Sequence, residues 1–104
     1  MAGVTNPLVA TVIPILNEQD SIIACLGSLV NQTISNDQHI IVVLDGGSTD
    51  QSIQIIKQFI ETNSEGPEII LASNDGKYVA EARNLAMDLV PNSVEYFLEI
   101  LLKF

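Results

Sequence analysis

The sequence has one cysteine, no tryptophan and only four lysines and arginines among 104 residues. The single Cys25 excludes a disulfide framework within the chain and fits a reducing compartment. Four cations against thirteen acids leave a formal net charge of −9 and a pI near 4.1. Binding DNA, RNA or anionic lipid takes clustered Lys and Arg, so this balance argues against all three. No apolar run reaches the roughly 18–20 residues of a membrane span. Residues 1–7 carry no basic stretch, so no signal peptide is expected. A soluble, cytoplasmic chain is the expectation. No His/Cys group has zinc spacing, and no signature joins Ser, His and Asp for nucleophilic catalysis. Neither GxGxxG nor a P-loop is present.

What is present is apolar and periodic. The chain is 47% hydrophobic and 16% charged, the balance of a globular protein. Its length suits one small domain spanning residues 1–104. Residues 8–14 (LVATVIP) predict a strand, with Pro14 marking the end of ladder pairing. Asn17–Ser21 is rich in helix-starting residues, and Ile22, Ile23, Leu26, Leu29 and Val30 then recur at helical spacing. After a polar loop at 31–38, residues 39–44 (HIIVVL) predict a strand buried on both faces. Ser48 and Gln51 match a capping box ahead of a helix marked by Ile53, Ile56, Phe59 and Ile60. Residues 68–72 predict a third strand, 79–90 a third helix and 94–100 a fourth strand.

The order β-α-β-α-β-α-β implies a three-layer α/β/α fold around a mainly parallel four-stranded sheet with right-handed crossovers. Ligands of such sheets sit outside the carboxyl ends of the strands, at a topological switch point. Segments 14–18, 45–50 and 73–83 converge on that edge.

The candidates there carry structural readings beside functional ones. Asp45, ending the second strand, either accepts hydrogen bonds from a base or ribose, or forms an Asx-turn. Gly46 and Gly47 either only make the turn, the favoured reading, or also let a ligand approach closely. Asp50 reads as a helix cap. Asn17 and Glu18 read as a cap or as the wall of a base pocket. Arg83 pairs with a phosphate, steadies Asp45, or forms a surface ion pair with Glu81 or Asp88. Lys77 is a weaker candidate of the same kind. His39, at the opposite end of its strand, and Cys25, inside a helix, read as structural.

Three stretches, VIPILNEQDSIIACLGSLVNQT, IIVVLDGGSTDQSIQII and SNDGKYVAEARNLAM, together resemble the N-terminal half of family 2 glycosyltransferases. The resemblance implies a truncated GT-A, Rossmann-like fold that binds a nucleotide-sugar. It assigns Pro14, Leu16, Asn17 and Glu18 to the nucleobase pocket, and Asp45 to base and ribose. Gly46 stands where the family usually has a second aspartate. Ala82-Arg83-Asn84 looks like the family's Ala-Arg-Asn, whose arginine lies near the nucleotide. Intact members use Mg²⁺ or Mn²⁺ held by an Asp-x-Asp after the fourth strand. Here Leu101 and Lys103 fall at those positions, and Glu99 is no substitute.

The expectation is therefore a truncated or split piece of an inverting glycosyltransferase, with no catalytic or metal-binding residue of its own and inactive alone. A full-length parent would lie in the cytoplasm or on the cytoplasmic face of a membrane. The alternative is a degenerate, non-catalytic interaction or oligomerisation module; another α/β nucleotide or flavin binder ranks third. The apolar run Phe97, Leu98, Ile100, Leu101, Leu102 and Phe104 predicts a homo-oligomer through the C-terminal strand.

Overall fold

Apolar strands alternating with amphipathic helices build a sheet covered on both faces. The computed structural model describes residues 6–31, 35–74 and 79–102. Its strands are β1 (Val9–Ile15), β2 (His39–Asp45), β3 (Glu68–Ser73) and β4 (Tyr96–Glu99). Its helices are α1 (Ile22–Val30), α2 (Ser52–Thr62) and α3 (Val79–Leu89), with a 3-10 turn at Asn36–Gln38. The strands lie in the order β3-β2-β1-β4, and every pairing is parallel. The α/β fold class expected from the pattern is the one observed.

The chain steps from β1 to β2 to β3 in one direction, then returns across the sheet to β4. With right-handed crossovers, that reversal puts α1 and α2 on one face and α3 on the other. On the first face Ile13, Ile15, Ile41 and Val43 pack with Ile22, Leu26 and Leu29 of α1 and Ile56 of α2. On the second, Val12, Val42 and Leu44 meet Ala82 and Ala86 of α3. The alternation along β1 and β2 is the period-two signature of strands buried on both faces. Each Ile or Leu so buried contributes about 1.5–3 kcal/mol.

Pro14 does not end all ladder pairing. β1 runs on to Ile15, whose carbonyl accepts Gly46 N–H at 2.9 Å. Val12 C=O accepts Ile100 N–H from the β4 side, so even-numbered β1 residues face β4 and odd ones face β2. The N–H that Pro14 lacks would point past the end of β4, whose last partner is Glu99 opposite Val12. Pro14 therefore closes the β4 side while the β2 side continues.

Other boundaries shift for similar reasons. β2 and β3 each gain one residue, and Asn74 N–H donates to Asp45 C=O at 2.7 Å to extend their ladder. β4 is shorter than residues 94–100. The capping box at Ser48 does not form: α2 starts at Ser52, with Gln51 at its N-cap and no side-chain cap bond. α1 likewise starts after Ser21 without a side-chain cap. His39 is buried and shares a 2.8 Å hydrogen bond with Thr11. Cys25 packs against the α1–α2 core, and burial raises its thiol pKa, as suits an inert core residue. No helix among the described residues is long and apolar enough to cross a membrane.

Candidate functional site at the carboxyl rim

Parallel strands deliver their carboxyl ends to one rim. Ile15 and Asp45 are register partners there, and Asp45 pairs in turn with Ser73. Segments 14–18 and 45–50 therefore emerge side by side. The switch point falls beside β1, where the chain leaves toward β2 while β4 lies on its other side.

The two loops are stitched together by polar side chains. Asn17 sits at φ 55°, a left-handed conformation that Asn tolerates better than most residues. From there its Oδ1 accepts Thr49 N–H at 2.8 Å and Asp50 N–H at 3.1 Å. Its own N–H donates to Ser48 Oγ at 2.9 Å, and Glu18 N–H donates to Ser52 Oγ at 2.8 Å. Gln51 N–H donates to Gln19 Oε1 at 3.0 Å. Asp50 accepts Ser52 N–H on Oδ1 and, at 3.3 Å, Gln19 N–H on Oδ2. Desolvation pushes the Asp50 carboxyl pKa up, but the hydrogen bonds from Ser52 and Gln19 outweigh it and hold the pKa below the usual carboxylate range.

These contacts revise the cap readings. Asn17 bonds the neighbouring loop rather than capping α1. The Ser48 hydroxyl, expected to cap α2, turns to Asn17. Asp50, one residue before the N-cap Gln51, accepts the first N–H of α2 from Ser52 and also holds Gln19. The roles of Gln19, Ser48 and Ser52 were missed from sequence. For Ser48 and Ser52 the only signal was the density of Ser, Thr and Asp in 48–52, which a helix cap explains equally well; Gln19 carried none.

Asp45 is nine-tenths buried, and its carboxylate accepts Gly47 N–H at 3.0 Å and Ser48 N–H at 3.1–3.2 Å. The Asx-turn reading is thus realised. A carboxylate offers about four lone-pair sites, and these two N–H groups are its donors among the described residues. Of the two glycines only Gly47 needs its freedom, at φ 110°. Leu16 is exposed at the rim, and Asn74 is buried beside Asp45.

Arg83 is not brought to Asp45. Its guanidinium donates to Glu99 Oε1 at 2.8 Å, a partner sixteen residues on and across the α3–β4 interface. Glu99 is level with Val12, three residues before the end of β1, or about 10 Å below the rim at ~3.3 Å per residue. Arg83 is 55% exposed, so the pair is a weak stabiliser. Lys77 and Lys103 lie outside the described residues.

The divalent cation implied by the resemblance does not fit the side chains of the described residues. Among the described residues no three His, Cys, Asp or Glu groups converge. Glu99 is turned to Arg83, and exposed Leu101 stands where a carboxylate would be needed. A cavity of about 420 Å³ opens at the opposite, amino-terminal rim among Asn36, His39, Asn63 and Pro67. The carboxyl rim, by contrast, is where the topology and the polar stitching coincide.

Comparison with known proteins bears on the family. Residues 10–98 match the model of glycosyl transferase family 2. The chain is 31% identical over 96 residues to the glycosyltransferase AglE of Haloferax volcanii, covering 91% of this chain and 31% of that protein. It is 32% identical over 92 residues to a PGL/p-HBAD biosynthesis glycosyltransferase of Mycobacterium bovis, covering 88% and 34%. A 51-residue stretch, 49% of this chain and 8% of the relative, is 43% identical to a poly(ribitol-phosphate) beta-glucosyltransferase of Bacillus spizizenii. The chain spans about a third of the length of AglE and the mycobacterial relative. With a parallel sheet in the order β3-β2-β1-β4 and a match over residues 10–98, the chain belongs to glycosyl transferase family 2.

Proposed function

We propose that this chain is the donor-binding half of an inverting, nucleotide-sugar-dependent glycosyltransferase. The observation that carries the reading is the rim where Asp45 meets the loop locked by Asn17. Among the described residues Asp45 accepts from Gly47 and Ser48, a carboxylate offers about four lone-pair sites, and Gly46 sets no side chain beside it. A base N–H or ribose hydroxyl donates to Asp45, while Pro14, Leu16, Asn17 and Glu18 form the adjoining wall. The nucleoside is the part recognised. A diphosphate entering a chain of charge −9 needs a cation or aimed donors to offset the repulsion. The whole protein would take Mg²⁺ or Mn²⁺ through ligands other than the residues described. These 104 residues alone bind nucleoside weakly and transfer no sugar, and they act in the cytoplasm or at its membrane face.

NMR titration with uridine, guanosine and their diphosphate sugars, with and without Mn²⁺, tests this. Weak shifts at Asn17, Asp45 and Gly46 that Mn²⁺ does not strengthen are expected. No shift at these residues with any ligand would overturn the binding claim, and sugar transfer by the isolated chain would overturn the inactivity claim. A second reading, a non-catalytic assembly module, draws on the exposed Tyr96, Leu98 and Leu101; rim shifts on nucleoside addition separate the two.

A further inference from the structure

Ser52 opens α2 from a position with no exposed surface. Its Oγ accepts the N–H of Glu18 at 2.8 Å, from thirty-four residues away in the chain. The Glu18 carbonyl accepts the N–H groups of Ser21 at 3.0 Å and Ile22 at 2.9 Å, where α1 begins. Glu18 is thus tied by its N–H to one helix and by its carbonyl to the other. Both helices are anchored on the same face of the sheet, α1 by Ile22 and Leu26 and α2 by Ile56. The Ser52 backbone is secured separately, its N–H donating to Asp50 Oδ1 at 2.9 Å. The start of α2 is therefore held without the Ser52 hydroxyl.

We propose that Ser52 is a positioning residue for the nucleoside site, its hydroxyl holding Glu18 so that the wall of residues 14–18 stands preformed beside Asp45. The inference rests on the nucleoside reading above. Residues 16–18 lie past the last β1–β2 pair, Ile15 with Asp45, so the sheet ladder does not fix them. Asn17 sits at φ 55°, outside any regular element. Side chains of 48–52 fix this loop instead, and the Glu18–Ser52 bond is the one whose acceptor is sealed from water. Of the side chains joining the two loops, Asn17 and Gln19 are exposed and Ser48 and Asp50 half-buried. Removing Asn17 takes away a piece of the wall and a clamp at once. Ser52 offers a ligand no surface, so any effect of its hydroxyl on a nucleoside passes through Glu18. Without that hydroxyl the Glu18 N–H loses its acceptor and the wall is no longer fixed. A nucleoside must then order the wall as it binds, which weakens binding.

The test compares Ser52→Ala with Ile56→Val in the 104-residue chain. Ala forms helix better than Ser, so Ser52→Ala is expected to keep the circular dichroism spectrum. Ile56→Val trims the buried face of the same helix one turn on, lowering stability without touching the loop. In the unsubstituted chain the Glu18 amide should be protected from exchange before any nucleoside is added. Ser52→Ala should speed that exchange about tenfold, and Ile56→Val should not. Uridine or guanosine, followed by NMR, should bind Ser52→Ala roughly threefold to tenfold more weakly and Ile56→Val as tightly as the unsubstituted chain. An unprotected Glu18 amide in the unsubstituted chain, or one that Ser52→Ala leaves unchanged, would overturn the proposal. So would equal nucleoside affinity for Ser52→Ala and the unsubstituted chain, or equal weakening by both substitutions. The exchange measurements need no ligand, which tells these failures apart from failure of the nucleoside reading. No shift in the unsubstituted chain with either nucleoside would sink that reading and the positioning role with it.

Discussion

Asn17, on the loop after β1, holds the loop after β2 by two consecutive amides, with Oδ1 accepting Thr49 N–H at 2.8 Å and Asp50 N–H at 3.1 Å. This is a tertiary clamp made by a residue whose backbone is itself in the left-handed region. Asn17→Ala loses the acceptor and keeps the conformational cost, so a loss of about 2 kcal/mol in urea unfolding is expected. Asn17→Asp keeps an acceptor and tolerates the backbone, and should lose less than half as much. Equal losses for the two would show that the side-chain oxygen contributes nothing.

His39 links the two central strands at the opposite rim through Thr11. Burial lowers its pKa below the ordinary value of 6.5, so the fold favours the neutral ring. Above that pH both folded and unfolded chains are neutral here and stability is full. As pH falls below 6.5 the unfolded chain takes up a proton that the folded chain resists. Stability is lost through that window and levels off below the folded pKa. Melting temperature followed from neutral to mildly acidic pH should drop, and His39→Gln should flatten the drop.

The two adjacent glycines are not equivalent. Gly47 lies at φ 110°, with open space where a Cβ would go. Gly47→Ala should therefore cost about 1–3 kcal/mol from backbone strain alone. Gly46 is outside the positive-φ region. Gly46→Asp, which restores the second aspartate usual in the family, sets a second carboxylate beside the nearly buried Asp45, so a loss of about 1 kcal/mol is expected from like-charge repulsion. On the nucleoside reading it adds a charged acceptor and tightens uridine or guanosine binding by about tenfold. Urea unfolding and NMR titration measure the two effects separately.

Much of this was legible from local pattern. The β-branched run from His39 and the apolar spacing of the helices follow from periods of two and 3.6, which need no knowledge of neighbours. Asp45 at a strand end carried its Asx-turn among its readings, whereas Arg83 on a helix was visible as a residue but its partner was not. Asp45 turns out to hold its own loop, and Arg83 meets Glu99 rather than Asp45. The Ser48–Gln51 box failed because a hydroxyl near a helix start satisfies whichever backbone N–H lies closest. Here that N–H is Asn17's, thirty-one residues away.

The order of strands and helices, their buried faces and the carboxyl rim were set by the residues in sequence, because burial of apolar surface acts on short-range spacing. Strand order, the use of Asn17 as a clamp, the pairing of Arg83 with Glu99 and the exposure of Leu98 were decided only on folding. Each depends on which backbone and side-chain groups arrive within about 3 Å of each other, and hydrogen bonds and ion pairs are made at that range.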